Sequence, residues 1–287
     1  MTRIEDALAD GIRSLAGTSS SAGLDARVLL QHILSRDHAW LLAHGKEAID
    51  SDALERFRTL IEQRRLGEPV AYIVGWKEFW SLRLEVDNSV LVPRPETEHL
   101  VEHALALIPR TAHFRILDLG TGSGAVALAV ASERPGCELT ATDLSANALE
   151  VARNNARRIG IDNVDFVCGD WYTPLAGRRF DMILSNPPYI ADGDACFEGE
   201  GIVREPGAAL RSGPSGLDAL RAISSQATRH LVTGGWILLE HGYDQQHHVA
   251  HILRLGGLSD IACHADHAGH PRITIARYSA GNSGART

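Results

Sequence analysis

The chain has 287 residues, 44% hydrophobic content and a formal net charge of -8, which suits about two domains with proper cores. Its acidity argues against nucleic acid as the main partner, since phosphate contacts need a basic surface, and no apolar run reaches the roughly eighteen residues of a membrane span. The opening Met1-Thr-Arg-Ile-Glu-Asp lacks a signal-peptide core, and the four cysteines, Cys137, Cys168, Cys196 and Cys263, form no C-x-x-C pair, so free thiols in a cytoplasmic, reducing compartment are expected.

Residues 1–72 read as a small N-terminal helical domain, with apolar residues at helical spacing over 25–34 and 52–63, and with Asp25 and Asp52 as candidate N-caps. The serine-rich stretch 17–23 is a loop. Arg56, Arg58, Arg64 and Arg65 form a basic run that is most simply a solvated helix face. Residues 73–92 turn strand-like, alternating over 79–86, and predict a β-hairpin that joins the first domain to a second over 93–278. His99-Leu-Val-Glu-His103 fits the H-x-x-E-H zinc pattern but lies in a helical stretch with no evident third ligand, so no metal site is expected.

Phe114-Arg-Ile-Leu-Asp-Leu119 reads as a buried strand, Gly120-Thr121-Gly122-Ser123-Gly124 as a tight glycine loop, and 125–133 as a helix. Strand, glycine loop and helix open a nucleotide-binding α/β domain, in which a ligand approaches the backbone at a helix N-terminus. The G-x-G-x-G loop is one residue tighter than the dinucleotide fingerprint. Asp118 just before it suits the cationic methionine part of S-adenosylmethionine better than a pyrophosphate. A second strand, 138–142, ends at Asp143, where a carboxylate can accept both ribose hydroxyls or cap the helix that follows over 145–158. After a third strand, 164–168, Asp170 can accept from an adenine amino group and Trp171 can cover the ring.

Strand 180–185 runs directly into Asn186-Pro187-Pro188-Tyr189, an amide, two rigid prolines and an aromatic face together. A planar NH2 group is a poor nucleophile because its lone pair is delocalised, so acceptors must orient its N–H bonds; the Asn186 side-chain oxygen and the Pro187 carbonyl can do so while Tyr189 stacks on the flat side. The segment 192–216 is a glycine- and acid-rich loop, a candidate flexible lid. Helices over 217–231 and 245–255 and strands over 235–240 and 272–277 follow; His264, His267 and His270 fall in a loop, and 279–287 is a disordered tail.

Together these residues resemble the HemK/PrmC family of protein-(glutamine-N5) methyltransferases. The carriers are Gly75-Trp-Lys-Glu-Phe-Trp80, Val92-Pro-Arg-Pro-Glu-Thr-Glu98, Ile116-Leu-Asp-Leu-Gly-Thr-Gly-Ser-Gly124, Gly169-Asp-Trp171, Ser185-Asn-Pro-Pro-Tyr-Ile190, Glu205-Pro206 and Leu239-Glu-His-Gly242. Arg204 stands where the family often has an aromatic. The resemblance implies an α/β, Rossmann-like class I S-adenosylmethionine-dependent domain with a seven-stranded, mostly parallel sheet. It implies methylation of the glutamine in the Gly-Gly-Gln motif of class 1 peptide chain release factors, with the first domain recognising the release factor. By the same resemblance Gly120, Thr121, Gly122, Ser123, Gly124, Asp143, Asp170, Trp171 and Asn186 hold the cofactor, and Asn186 to Tyr189 hold the substrate glutamine. An adenine-N6 or cytosine-N4 methyltransferase of DNA or RNA is the alternative, since a flipped base offers the same NH2 group, but no base-reading module is legible. A noncatalytic binding module fits less well, because both the glycine loop and the tetrapeptide are intact.

Overall fold

A computed structural model describes residues 1–195 and 204–279, so Cys196, the centre of the 192–216 loop and the tail beyond Ser279 lie outside the described residues. The chain divides into two compact units, Met1–Trp76 with Ala195–Glu205, and Lys77–Asp194 with Pro206–Thr287.

The first unit is all helix: α1 (Ile4–Leu15), α2 (Ala22–Leu34), α3 (His38–His44), α4 (Ser51–Arg65) and α5 (Val70–Val74). Ile4 and Ala7 on α1, Ala26, Leu29 and Leu30 on α2, and Ala53, Phe57 and Ile61 on α4 recur at helical steps of three and four and meet, with Leu15, in one apolar core. The cap of α4 is Asp50, whose carboxylate accepts from the N–H groups of Asp52 and Ala53, so Asp52 lies in the first turn and not at the cap. Asp25 likewise lies inside α2. Its buried carboxylate takes the Arg64 guanidinium at 2.6 Å and the hydroxyls of Ser19 and Ser21. Arg64 is therefore no solvated arginine but half of a buried ion pair between α2 and α4, and removing one partner would strand the other's charge.

From Lys77 the second unit opens with the hairpin of β1 (Trp76–Phe79) and β2 (Leu82–Glu85), whose first residue closes the first unit. Phe79 and Leu84 enter this unit's core, so the hairpin is packed furniture of the second unit and not an exposed connector. Strands β3 (Arg115–Leu119), β4 (Glu138–Asp143), β5 (Val164–Cys168), β6 (Phe180–Ser185), β7 (Leu231–Glu240), β8 (Ser259–Ala265) and β9 (Pro271–Arg277) form one sheet in the order β5-β4-β3-β6-β7-β9-β8. The first five run parallel, and the β8–β9 hairpin completes the sheet, with β9 antiparallel to both β7 and β8 and β8 at the edge. Strand β8 is absent from the sequence-based elements, which leave His264 in a loop. Its polar, half-exposed alternation is that of an edge strand, which only its pairing with β9 reveals.

Helices α6 (Glu98–Leu107), α7 (Ala125–Glu133) and α8 (Ala146–Ile159) cover one face of the sheet, α9 (Asp218–His230) and α10 (Gln246–Leu255) the other. Side-chain alternation feeds both: Ile116, Met182, Leu184 and Leu238 point to the first core, Leu117, Ile183, Ile237 and Leu239 to the second. Chain order reverses direction between β3 and β6, so their carboxyl ends frame the crevice in which doubly wound sheets bind ligands.

Asn155 on α8 is fully buried and ties that crevice to the hairpin. It accepts the Glu85 N–H and donates to the carbonyls of Glu85 and Ser123, at 2.6, 3.0 and 2.9 Å. Asn155→Ala leaves those backbone groups unpaired and should cost about 2–4 kcal/mol. The check is urea unfolding, with faster amide exchange in β2 than in the sheet; unchanged midpoints would refute the clamp. Among the described residues, no helix is long and apolar enough to cross a membrane.

Candidate active site

A cavity of about 650 Å³ opens at the carboxyl ends of β3, β4, β5 and β6. Gly120, Gly122, Asp143, Asp170, Trp171, Asn186 and Pro188 line it, gathered from four separate strand ends. Thr121, Ser123, Gly124, Pro187 and Tyr189 do not line it. The Thr121 and Ser123 side chains are buried behind the loop, and Gly124 begins α7.

The glycine loop is built by backbone geometry. Gly120 has a φ of 70°, and a Cβ there would come within 3.4 Å of the Trp171 ring, which lies across the loop. Gly124 has a φ of 84°, and its Cβ would crowd Leu128 at 3.0 Å and Ala152 at 3.2 Å. Only glycine combines that left-handed backbone with such close packing of α7 on α8. Behind the loop, the Asp118 carboxylate accepts the Thr121 hydroxyl at 2.7 Å. Burial pushes its pKa up to about 7, against the pull of the Thr121 and Ala127 hydrogen bonds. Asp118 therefore braces the loop from within instead of facing a ligand across the cavity.

Asp143 is the hub of the next strand end. One oxygen accepts the Gly122 N–H at 2.9 Å and the other the Ser145 N–H at 2.9 Å, so the carboxylate is fixed while each oxygen keeps a second lone pair. The cap of α8 is Ser145, which accepts from Ala148 N–H; Asp143 orients that cap rather than supplying it. Thr142, also in the wall, has a fully buried hydroxyl without a hydrogen-bond partner among the described residues. Trp171 holds a φ of 44°, a strained backbone for a tryptophan, at the rim.

At the β6 end, Ser185 donates to the Leu119 carbonyl at 2.7 Å and locks β6 to β3. Asn186 follows, and its Nδ2 donates to the Thr97 hydroxyl at 3.0 Å. The Tyr189 hydroxyl donates to Glu240 Oε1 at 3.3 Å, at the end of β7. Glu240 is buried, which pushes its pKa up to about 7, while hydrogen bonding from Thr97, the charge of Arg272 and the Tyr189 hydroxyl pull it back. Burial raises the Tyr189 pKa, so its hydroxyl remains a neutral donor.

Residues 206–213 form a fixed part of the wall. The Ile190 N–H donates to the Leu210 carbonyl at 3.0 Å and the Ser212 N–H to the Ile190 carbonyl at 2.9 Å, and a 3-10 turn spans Gly207–Ala209. The lid expected over 192–216 is thus a pinned strap over its described C-terminal half. Thr97 and Glu240 were legible only as parts of family-typical segments, Arg-Pro-Glu-Thr-Glu and Leu-Glu-His-Gly. Their meeting with Asn186 and Tyr189 spans gaps of 89 and 51 residues, which no local pattern signals.

His99 and His103 on α6 stack edge-on and tilted against His267 and His264 of the β8–β9 hairpin, at 4.2 and 4.3 Å between ring centres. Among the described residues no group of three or more His, Cys, Asp or Glu is arranged to hold a metal ion. Cys137, Cys168 and Cys263 are free thiols.

The chain is similar to known proteins over nearly its full length. A family profile described as PrmC N-terminal domain matches residues 6–75, and one described as Methyltransferase small domain matches residues 97–216. A release factor glutamine methyltransferase of Xylella fastidiosa is 46% identical over 91% of this chain and 95% of its own length. One of Escherichia coli is 42% identical over 91% of this chain and 94% of its own. In fold, the chain resembles a methyltransferase of Pyrococcus furiosus, with a TM-score of 0.52 and 22% identity over 69% of this chain and 89% of that one. It also resembles the 16S rRNA N2 G1207 methyltransferase of T. thermophilus, solved with AdoMet and guanosine, with a TM-score of 0.54 and 16% identity over 71% of this chain and 49% of that one. With identity of this order across both units, the chain belongs to the release factor glutamine methyltransferase family.

Proposed function

We propose that this enzyme transfers a methyl group from S-adenosylmethionine to the side-chain amide nitrogen, N5, of the glutamine in the Gly-Gly-Gln motif of class 1 peptide chain release factors, leaving S-adenosylhomocysteine. The observation that carries the reading is the shared cavity. Asn186 lines it with the glycine loop, Asp143 and Trp171, and its Nδ2 is already engaged by Thr97, which leaves its oxygen for an incoming N–H.

The wall fits the methyl donor on three counts: a left-handed backbone cradle at Gly120 and Gly122 with the Trp171 ring against it, a fixed carboxylate with spare lone pairs at Asp143, and an unpaired buried hydroxyl at Thr142. In this reading Gly120 to Gly124 shape the methionine end, Asp143 takes the ribose hydroxyls, and Asp170 and Trp171 hold the adenine. When bound, the donor supplies an electrophilic methyl carried by a sulfonium. Asn186 Oδ1 and the Pro187 carbonyl accept the two N–H bonds of the glutamine amide and aim its nitrogen along the S–C axis. Pro188 stiffens the turn, and Tyr189, its hydroxyl spent on Glu240, offers its ring face. Positive charge at sulfur is dispersed in the transition state, so the apolar parts of the wall favour transfer. No general base is assigned: the amide proton leaves to solvent after the N–C bond forms.

The acidic chain, with its net charge of -8, supports a protein acceptor over nucleic acid, and residues 1–72 are assigned to holding the release factor. The test is transfer of radiolabelled methyl to purified release factor, to its Gln-to-Ala variant, and to DNA and RNA. Label confined to the unaltered release factor is expected. Label on nucleic acid, or on the Gln-to-Ala variant, would overturn the reading.

A further inference from the structure

We propose that Gln245 is a positioning residue for methyl transfer: its side-chain amide grips the Tyr189 carbonyl and so sets the course of Asn186-Pro187-Pro188-Tyr189 past the acceptor nitrogen. The inference rests on the glutamine-methylation reading above.

The tetrapeptide has little backbone bonding of its own. Pro187 and Pro188 carry no N–H, and the ladders from β6 to β3 and β7 both end at Ser185. Its direction is therefore set at its two ends. Ser185 fixes the first by donating to the Leu119 carbonyl. At the second, Gln245 Nε2 donates to the Tyr189 carbonyl at 2.9 Å. The same amide accepts the Gly242 N–H on Oε1 at 2.9 Å and reaches the Gly216 carbonyl from Nε2 at 3.4 Å. The two ends of an amide have similar shape and opposite polarity, so the partners decide which end goes where. A backbone N–H only donates and a carbonyl only accepts, which puts Oε1 on Gly242 and Nε2 on Tyr189.

Three segments close on that carbonyl. Gly216, on the run into α9, has a φ of 68°, and a Cβ there would run into the Tyr189 oxygen. Only glycine lets this backbone pass so close. Gln245 is buried and stands at the N-cap of α10, yet its side chain makes no capping bond to that helix. Its polar atoms go to the loop after β7, to Gly216 and to the tetrapeptide. Tyr189 is thus held at both ends, its hydroxyl on Glu240 and its carbonyl on Gln245. That hold fixes the plane of its ring and, two residues earlier, the aim of the Pro187 carbonyl. The glycine loop and Asp143 are not among the partners of Gln245, so donor binding stands apart from it.

The experiment uses the full chain, a purified release factor and the variants Gln245→Met and Gln245→Glu. Methionine keeps the length and removes both polar ends. Gln245→Met should lower kcat about 10- to 100-fold, with the donor Kd within about twofold of the parent. Gln245→Glu keeps the outline, but its carboxyl can donate to the Tyr189 carbonyl only when protonated. Its kcat relative to the parent should therefore be low at about pH 8.5 and rise at least about fivefold by about pH 5.5, with the donor Kd steady, while the ratio for Gln245→Met stays flat. A general loosening of the unit would instead weaken donor binding along with kcat, and acid would not reverse it. An unchanged kcat in Gln245→Met, a flat ratio in Gln245→Glu, or a donor Kd that rises in step with the loss of rate overturns the proposal. Should Gln245→Met not fold, the acid response of Gln245→Glu decides by itself. Failure of the functional reading looks different: the parent protein itself would bind the donor and leave the release factor unlabelled.

Discussion

Asn186→Ala is expected to lower kcat by about 10²–10³-fold while the donor Kd stays within about threefold. The size follows from losing a preorganised hydrogen-bond acceptor at the reacting group, an effect of the same order as removing one oxyanion-hole donor. The selectivity follows from geometry. The loop from Gly120 to Gly124 and the Asp143 carboxylate stand on β3 and β4, and no hydrogen bond joins them to Asn186 among the described residues. Alanine also removes the N–H that the Thr97 hydroxyl accepts, a single side-chain hydrogen bond, so the fold should hold. Single-turnover transfer and calorimetric donor titration on the same preparations provide the check. A parallel fall in donor affinity and rate would assign Asn186 to donor binding and remove it from the acceptor site.

The second large effect belongs to Asp143. Asp143→Ala should weaken donor binding about 10²–10⁴-fold, because two charge-assisted hydrogen bonds to ribose hydroxyls are worth about 1.5–3 kcal/mol each. Part of the loss is indirect. The same carboxylate holds the Gly122 and Ser145 N–H groups, so its removal also frees the glycine loop and the first turn of α8. Asp143→Asn separates the two contributions, since one amide oxygen can still take a backbone N–H or a hydroxyl but not both sets. It should fall between parent and Asp143→Ala in donor Kd, with a Tm near the parent's. Donor affinity that survived Asp143→Ala would remove this residue from the ribose site.

These expectations draw unequally on sequence and structure. Of the residues named for the methyl donor from the strand ends, Gly120, Gly122, Asp143, Asp170 and Trp171 line one cavity, while Thr121, Ser123 and Gly124 do not. The acceptor half was legible only as a motif. Asn186 and Pro188 reach the cavity wall, whereas Tyr189 turns its hydroxyl to Glu240. Asp118, read as a contact for a cationic ligand, serves the loop from behind because Thr121 folds over it.

What the residues determined unaided were features carried within a few positions of chain. Helical spacing, strand alternation, the left-handed glycines, the acid that ends β4 and the one two residues after β5 act through the local backbone, so pattern alone exposes them. What only tertiary structure decided were partnerships between distant segments: Asp25 with Arg64, Asn155 with the hairpin, β8 against β9, and Thr97 with Asn186. A buried polar group must find a partner, yet sequence states only that it needs one. Which one it finds depends on the order in which strands lie in the sheet, and that order, with β6 beside β3, brings Asn186 to the mouth of the glycine loop.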